Sequence, residues 1–325
     1  MLYISRSETD PYFNIAAEEY VLKELSEDVF MLWQNEPSII VGKHQNTLAE
    51  INYEYVQRCK IPVIRRITGG GTVYHDLGNL NFSFVKSGKR DELVNFKAFT
   101  NPIIAALKTM AVDAKFEGKN DLRVQGKKIS GNAEHVYKNR VLHHGTLLFS
   151  SELNKLNESI LAATKNFEDK AVKSNRSEVA NIIDFLNSPM NIQDFREEIL
   201  KQLMMNDREA VVYVFTDKDK KKIAEYVESK YSRWSWNYAY SPKYTLTKNI
   251  QLGNFNASIQ IIVKDGIIQD IIFDERNSEN QFAMGLKKVL IESKHEPDEI
   301  KSRLMSASSL FQNESEILTL VLTLF

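Results

Sequence analysis

The chain has 325 residues, a length that predicts two domains of about 150 residues each. Hydrophobic residues make up 43% of it and charged residues 26%, as in a folded globular protein, and a net charge of −1 excludes a global field that would attract nucleic acid or an anionic membrane. The single cysteine, Cys59, excludes an internal disulfide and a zinc site built from several thiolates.

The same features predict a location in the cytoplasm. One cysteine suits a reducing compartment. The N-terminal segment has no basic stretch followed by an apolar run, so we expect no signal peptide. Every apolar stretch is shorter than the ~20 residues that a membrane helix needs.

The first elements predicted along the chain are one helix and four strands. Asp10-Pro11 predicts a helix that runs to about Leu25, because aspartate caps free amides and proline suits the first helical position. Apolar runs or alternating apolar residues predict strands at Val29–Trp33, Ser38–Gly42, Pro62–Ile67 and Leu80–Phe84.

A second helix and a hairpin follow. Asn101-Pro102 repeats the cap-and-proline pattern, and a helix from there would bury Ile103, Ala106, Leu107 and Met110. Gln125-Gly126 predicts a tight hairpin turn, and Val141–Phe149 a further strand. Asn166–Asn181 is polar and has little periodicity, which predicts a mobile loop.

The C-terminal part reads as a smaller unit. Ser232–Asn249 is first aromatic and then turn-rich, which indicates a change of unit. Ala257–Val263 and Ile267–Phe273 flank a hairpin turn, and Ile317, Leu320, Val321 and Leu324 share one helical face. We therefore expect an α+β fold, with a large mixed-sheet domain at 1–243 and a small α+β accessory domain at 244–325.

Two arginines precede three glycines in the stretch from Arg65 to Asp76. Glycines let backbone amides approach an anion, and an arginine can hold a carboxylate or phosphate with two parallel hydrogen bonds. The spacing matches neither a Walker P-loop nor a dinucleotide-binding motif. The alternative is a flexible turn with exposed arginines.

Lys128 is the first candidate catalytic residue, because a fixed ammonium would stabilise the negative charge that builds up when a carboxylate is adenylated. Asp121 could hold Mg²⁺ on the phosphates, or position and deprotonate an incoming amine. The alternatives are a solvated surface lysine and a turn aspartate. His143 and His144 should face opposite ways on a strand, so we expect no zinc site, and His144 is the one that would line a pocket.

These segments resemble the lipoate–protein ligase family. The matching segments, in order, are RRITGGGTVYHDLGNLNFSF, KNDLRVQGKKISGNA, HHGTLLF, SNRSEVANI and WSWNY. The resemblance implies a fold of the biotin/lipoate protein ligase type and two half-reactions. Lipoate and ATP would give lipoyl-AMP, and the lipoyl group would then pass to a lysine of a carrier domain. The carrier would be an acyltransferase subunit of a 2-oxo-acid dehydrogenase or a glycine-cleavage H protein, and the substrate would come from salvage of exogenous lipoate.

The resemblance also implies roles for particular residues. Lys128 would contact the lipoyl carbonyl and the α-phosphate, with Asn120 and Asp121 bordering the adenylate. The segment of Ser174, Arg176 and Ser177 would close over it. Mg²⁺ would arrive with ATP rather than at a dedicated protein site, and a monomer is expected. The nucleotide and lipoyl contacts would come from Arg66, Gly69, Gly70, Gly71, Thr72, Val73 and Tyr74.

Two other functions stay open at this point. One is a lipoyltransferase that accepts preformed lipoyl-AMP, and the other is a non-catalytic binder of lipoyl domains. An acyl-thioester mechanism would need a cysteine nucleophile, and we expect Cys59, at a helix end or strand start, to be structural and buried. Lys138 and Arg140 could steer an acidic carrier, although solvated loop charges are the more common reading.

Overall fold

The computed structural model of the protein describes residues 1–89, 93–160, 166–174 and 177–325. The chain divides into two compact units. Unit 1 comprises Met1–Lys43, Ile61–Glu158 and Asn175–Arg233, and unit 2 comprises His44–Lys60, Ser159–Ser174 and Trp234–Phe325. This division differs from the single boundary at 243 that the sequence predicted. Residues 44–60 and 159–174 belong to unit 2 together with the C-terminal residues. One contact that joins them is the hydrogen bond from the Thr47 hydroxyl to the Asn237 carbonyl, at 2.6 Å.

Within the described residues the strands are β1 Leu2–Ser5, β2 Val29–Trp33, β3 Ser38–Val41, β4 Val63–Arg65, β5 Val73–His75, β6 Asn79–Ser87, β7 Lys115–Glu117, β8 Asp121–Val124, β9 Lys127–Tyr137, β10 Arg140–Leu148, β11 Phe167–Asp169, β12 Val211–Val212, β13 Tyr244–Leu252, β14 Phe255–Lys264 and β15 Ile267–Phe273. The α-helices are α1 Pro11–Lys23, α2 Thr47–Glu50, α3 Tyr53–Cys59, α4 Phe96–Thr109, α5 Leu153–Ser159, α6 Ile192–Met205, α7 Asp217–Tyr226, α8 Gln281–Leu290, α9 Pro297–Ser306 and α10 Glu314–Thr323. None of the helices in the described residues is long and apolar enough to span a membrane.

Unit 1 is built on two mixed sheets. In the described residues the larger sheet has eight strands in the order β12-β1-β2-β6-β10-β9-β8-β7, and the smaller has the order β4-β3-β5. β1 pairs in parallel with β2 and β12, while the strands from β2 through β6, β10, β9, β8 and β7 pair antiparallel. These sheets confirm the predicted α+β class.

The main core of unit 1 joins the large sheet to α4 and α6. Phe30, Phe82 and Phe84 from the sheet pack in one buried cluster with Ile103 of α4 and Phe195 of α6. Burial of such side chains is the dominant favourable contribution to folding, at roughly 1.5–3 kcal/mol each. The central strands β6, β9 and β10 all contribute residues to this core.

Several elements of unit 1 were predicted correctly from local sequence patterns. The Asp10 carboxylate accepts the N–H groups of Tyr12 and Phe13, so α1 begins as predicted. Gln125 and Gly126 both have positive φ, at 50° and 79°, and close the β8–β9 hairpin. The predicted strand at 141–149 is β10.

The predicted start of the second helix was wrong. The Asn95 side chain, rather than that of Asn101, caps α4 by accepting the Ala98 N–H, and Pro102 lies inside the helix. The extra turn buries Phe99, whose ring lies 5.8 Å from the Phe84 ring. Tertiary packing therefore extended the helix beyond its local cap signal.

Unit 2 contains an antiparallel sheet, in the order β11-β13-β14-β15 among the described residues, and the helices α2, α3, α8, α9 and α10. The β14–β15 hairpin and α10 confirm two predictions. A loop was predicted over Asn166–Asn181, and this was wrong for β11, which is a strand within that segment. β11 pairs with β13 and places the Phe167 ring 5.6 Å from that of Tyr244. β13 likewise occupies part of the segment predicted to be turn-rich.

Candidate functional site

A glycine loop, residues 66–72, connects β4 to β5 in unit 1 and is organised by Arg66. The Arg66 guanidinium donates to the carbonyls of Gly69 and Gly71, both at 2.7 Å, to the Ile40 carbonyl at 2.9 Å and to the Thr68 hydroxyl at 2.9 Å. Four of its five N–H groups are thus directed to the chain itself. The side chain is only 5% exposed.

Arg66 therefore holds the glycine loop rather than presenting a free fork to a ligand. Its bonds to two loop carbonyls turn those carbonyls toward the guanidinium. Gly70, between them, has φ +87°, a conformation that glycine adopts without strain. Thr72 and Tyr74 of the same stretch are largely buried.

The glycine loop lies against strand β9. A Cβ at Gly70 would lie 3.9 Å from the Ala133 Cβ. His144 on β10 is directly opposite Ala133, so its side chain shares that face of the sheet. His144 contacts the loop, with Nε2 lying 2.8 Å from the Thr68 hydroxyl.

Lys128 enters the same face of β9. A Cβ at Gly131 would lie 3.0 Å from the Lys128 Nζ, so the ammonium extends over this glycine. Gly131 and Ala133 are two residues apart and point to one face, about 7 Å from each other along the strand. The fold thus brings Lys128 and the glycine loop together.

Lys128 belongs to a three-residue charge cluster with Asp121 and Arg123. The Lys128 Nζ lies 2.8 Å from Asp121 Oδ1, and Arg123 Nη2 lies 2.8 Å from Asp121 Oδ2. Arg123 also donates to the Ser177 hydroxyl at 3.1 Å. All three charged side chains are between 15% and 24% exposed, so the cluster is accessible yet held by its partners.

The backbone of Lys128 is also fixed. Its N–H donates to the Glu178 carbonyl at 2.9 Å, and its carbonyl accepts from Ala180 at 3.0 Å. The adjacent Lys127 is 49% exposed and pairs with the exposed Glu178 at 3.2 Å. Lys128 is less exposed, at 24%, as expected when neighbouring residues point to opposite faces of a strand.

Asn120 borders the cluster at the start of β8. Its side-chain amide donates to the Asn132 carbonyl at 2.6 Å, and the Asn132 amide donates to the Asn120 carbonyl at 2.9 Å. This reciprocal pair fixes the β8–β9 end that carries Asp121.

The cluster does not fit a protein-held Mg²⁺. Each carboxylate oxygen of Asp121 already faces a cation, and two positive side chains beside it disfavour a third positive charge. Among the described residues, no group of three or more His, Cys, Asp and Glu side chains could hold a metal ion. The predicted role of Asp121 as a metal ligand has no support from this geometry.

His143 and His144 face opposite sides of the sheet, as predicted. His143 Nδ1 lies 2.8 Å from Glu134 Oε1, and its ring stacks on Phe99 at 4.9 Å. Burial lowers the pKa of His143, with the Glu134 hydrogen bond opposing the shift. His143 is thus part of the core, and only His144 faces the glycine loop.

His75, at the end of β5, is a buried donor beside the loop. The Asn35 amide lies 3.1 Å from its Nδ1, and Asn35 in turn accepts from Asn14. This orientation makes Nδ1 the acceptor, so Nε2 carries the proton. Nε2 has no partner among the described residues.

Other predicted residues lie elsewhere. Ser174 belongs to unit 2, where its hydroxyl donates to Glu50 and accepts from Gln45. Arg176 lies outside the described residues. Cys59 is the last residue of α3 and is exposed, so its predicted burial was wrong. Arg140 is buried and donates to the Glu27 carbonyl, which contradicts its reading as a loop charge.

Comparisons with known proteins define the family. Residues 10–204, more than half of the chain, match the model of the lipoyl protein ligase A/B catalytic domain. Lipoate–protein ligase 1 of Staphylococcus aureus is 43% identical over 272 residues, which cover 83% of each chain. The chain belongs to the lipoate–protein ligase family. A second relative, lipoate–protein ligase LplJ of Bacillus subtilis, is 41% identical over 275 residues and 83% of each chain.

The fold agrees with that of a solved member of the family. The crystal structure of a lipoate–protein ligase A bound with ATP superposes with a TM-score of 0.63 at 24% identity, covering 72% of this chain and 97% of that one. At this identity the likeness shows the fold. It confirms the predicted lipoate–protein ligase architecture.

Several residues that shape the site of this lipoate–protein ligase family member were not predicted from the sequence. Thr68, Arg123 and Asn132 lie in the quoted motifs but carried no separate signal. Glu18 is 1% exposed on α1 and contacts His144. A buried carboxylate in the apolar stretch of a helix is unusual enough to have marked it as a candidate.

The buried His75 is expected to make the folded protein less stable as the pH falls. Burial lowers the pKa of His75 to about 3, with Arg66 and His144 adding to the effect. The unfolded chain, with an ordinary histidine pKa of about 6.5, binds the proton first as pH falls, so stability is lost from pH 6.5 down to 3.

We expect wild type to lose about 2 kcal/mol more than His75→Asn between pH 7 and 5, at ~1.4 kcal/mol per pKa unit. Asparagine keeps an acceptor for Asn35 but does not titrate. Urea unfolding at both pH values measures the difference. Equal losses in the two proteins would show that His75 is not the responsible group.

Proposed function

We propose that the chain is an ATP-dependent lipoate–protein ligase. It activates free lipoate to lipoyl-AMP with release of pyrophosphate, and then transfers the lipoyl group to a lysine of a carrier domain with release of AMP. The observation that carries the proposal is the Lys128 ammonium, fixed by Asp121 beside the glycine loop. Family membership and the names of the relatives support it.

In the first step, a lipoate carboxylate oxygen attacks the α-phosphorus of ATP, and pyrophosphate leaves. Negative charge builds up on the α-phosphate and the bridging oxygen. An ammonium held in advance stabilises that charge without reorganising during the reaction. Asp121 and Arg123 supply this fixation for Lys128, and the ATP-bound relative supports nucleotide binding on this fold.

In the second step, the amine of the carrier lysine attacks the carbonyl carbon of lipoyl-AMP. The C–N bond forms and the C–O bond to the phosphate breaks, so that AMP leaves, and the attacking nitrogen releases its proton to water. The positive charge of Lys128 near the carbonyl favours this attack by the same electrostatic effect. Asp121 acts by orienting Lys128, because both of its oxygens are engaged by cations.

Mg²⁺ is proposed only as the companion of the ATP phosphates, where it would neutralise charge on the leaving pyrophosphate. Among the described residues, no group of His, Cys, Asp and Glu side chains offers it a ligand set. No step of the mechanism depends on a protein-held metal.

The partner is proposed to be the lipoyl domain of a 2-oxo-acid dehydrogenase or a glycine-cleavage H protein. Lys138, in the β9–β10 turn, is exposed and remains a candidate for steering an acidic carrier. Arg140 no longer qualifies, because it is buried. A cytoplasmic location, salvage of exogenous lipoate and a monomeric state stay predictions, as do the boundaries 1–243 and 244–325 as functional domains.

The test is lipoylation of a purified apo-lipoyl domain with lipoate, ATP and Mg²⁺, followed by intact-protein mass. We expect a complete lipoyl adduct that needs all three additions. A carrier whose target lysine is replaced by arginine serves as the matched control and should remain unmodified. An adduct that forms only from preformed lipoyl-AMP would instead identify a lipoyltransferase.

A further inference from the structure

A continuous chain of buried hydrogen bonds leads from the glycine loop into α1. Arg66 Nε donates to the Thr68 hydroxyl at 2.9 Å, and that hydroxyl lies 2.8 Å from His144 Nε2. His144 Nδ1 faces both carboxylate oxygens of Glu18, at 2.9 and 3.0 Å. The four residues are each no more than 9% exposed.

A second branch reaches the same carboxylate from the sheet. The Trp33 indole N–H donates to the Ser83 hydroxyl at 2.9 Å, and Ser83 donates to Glu18 Oε1 at 2.6 Å. Both residues are 1% exposed. Glu18 therefore receives hydrogen bonds from two directions and is the acceptor at which both branches end.

The chemistry of the donors fixes the direction of the chain. An arginine N–H can only donate, so the Thr68 hydroxyl accepts from Arg66 and has its own proton available for His144 Nε2. The other ring nitrogen of His144, Nδ1, then carries its proton toward the carboxylate of Glu18.

The two ends of the chain carry opposite charges. Burial lowers the pKa of Arg66 to about 10, and the negative charge of Glu18 opposes that shift. Buried charges persist only when they are compensated and hydrogen-bonded. Glu18 supplies that compensation for the arginine that holds the carbonyls of Gly69 and Gly71.

We propose that Glu18 is a positioning residue for the glycine loop, acting through His144 and Thr68 on Arg66. This inference rests on the proposed function only in taking the glycine loop as the nucleotide-binding element. Glu18 itself need not touch ATP. Its carboxylate orients His144, His144 orients the Thr68 hydroxyl, and the two keep Arg66 in the place where it shapes the loop.

The first test breaks the chain in the middle with Thr68→Val, which keeps the side-chain shape and removes the hydroxyl. We expect the KM for ATP in carrier-free pyrophosphate release to rise about tenfold, with kcat changed less than about threefold, as for lost binding that is not specific to the transition state. Thr68→Ser restores a hydroxyl and should return KM close to wild type. If the effect of Thr68→Val came only from a change in side-chain packing, Thr68→Ser would not restore the KM for ATP.

The second test compares Glu18→Gln with Glu19→Gln. The two glutamates are adjacent on α1 and are 1% and 2% exposed. Glu19 pairs with Lys23 at 2.5 Å and Lys230 at 2.7 Å and takes no part in the chain to the loop. We expect both variants to lower the melting temperature, and only Glu18→Gln to raise the KM for ATP.

The ATP dissociation constant, measured by calorimetry without lipoate or carrier, separates this inference from the proposed function. A weaker ATP affinity in Thr68→Val and Glu18→Gln supports the inference whatever the catalytic outcome. Unchanged ATP affinity and KM in both variants would overturn it, even if wild type forms lipoyl-AMP. Absence of lipoyl-AMP with wild type would overturn the proposed function alone.

Discussion

Replacing Lys128 by alanine is expected to slow lipoyl-AMP formation by about 10²–10³-fold, the usual loss when one preorganised group at developing charge is removed. The side chain is 24% exposed, and Asp121 keeps its pair with Arg123. We therefore expect the free energy of unfolding to change by less than about 1 kcal/mol. The rate is measured as carrier-free pyrophosphate release, and stability by urea unfolding.

Lys127→Ala is the matched control for this variant. Lys127 is the neighbouring lysine on the same strand, half exposed and paired only with the exposed Glu178 among the described residues. It should retain the wild-type rate. Wild-type turnover in Lys128→Ala, or an equal loss in both variants, would contradict the catalytic role of Lys128.

Replacing Gly145 by alanine is expected to destabilise unit 1 by about 1–3 kcal/mol or more, the cost of overpacking a tight interior. A Cβ at Gly145 would lie 2.6 Å from Phe82 Cζ and closer still to Asn132 Oδ1. Both neighbours are buried, so neither can move aside freely. Because Asn132 is bonded to Asn120 and Gly145 follows His144, the site should be disturbed as well.

Gly69→Ala gives the comparison for a glycine with space around it. A Cβ at Gly69 would meet no atom within 4 Å. Its unfolding free energy should stay within about 1 kcal/mol of wild type. Equal stabilities of Gly145→Ala and wild type would show that β9, β10 and β6 are packed less tightly around Gly145 than these distances imply.

The elements whose causes are local were predicted from the sequence. The Asp10 cap and the Gln125-Gly126 turn each depend on neighbouring residues, and each is present. The strand predicted at Leu80–Phe84 lies within β6, but the half-burial expected from its alternation was wrong, because both of its faces are buried there. Lys128 and Asp121 were singled out from the sequence, and the structure places Lys128 Nζ 2.8 Å from Asp121 Oδ1. The register of β8 and β9 sets Lys128 opposite Arg123 and Asp121 opposite Gly131, with an irregularity between Leu122 and Arg123 that the sequence did not predict.

The parts that depend on distant residues were not predicted. Arg66 was expected to contact ligand, yet its partners include the Ile40 carbonyl, which comes from another strand. The contact of Glu18 with His144 spans 126 positions and requires α1 to pack on β10. The assignment of residues 44–60 and 159–174 to unit 2 also rests on contacts far apart in the chain. Nothing in a local pattern encodes these contacts.

Carrier-free adenylate formation tests the central claim most directly. The chain is mixed with lipoate, ATP and Mg²⁺, and pyrophosphate release and bound lipoyl-AMP are followed together, with Lys128→Ala alongside. We predict that wild type releases pyrophosphate and retains lipoyl-AMP in equal amounts, and that the variant does both about 10²–10³-fold more slowly. Pyrophosphate release by wild type no faster than without lipoate would contradict the account.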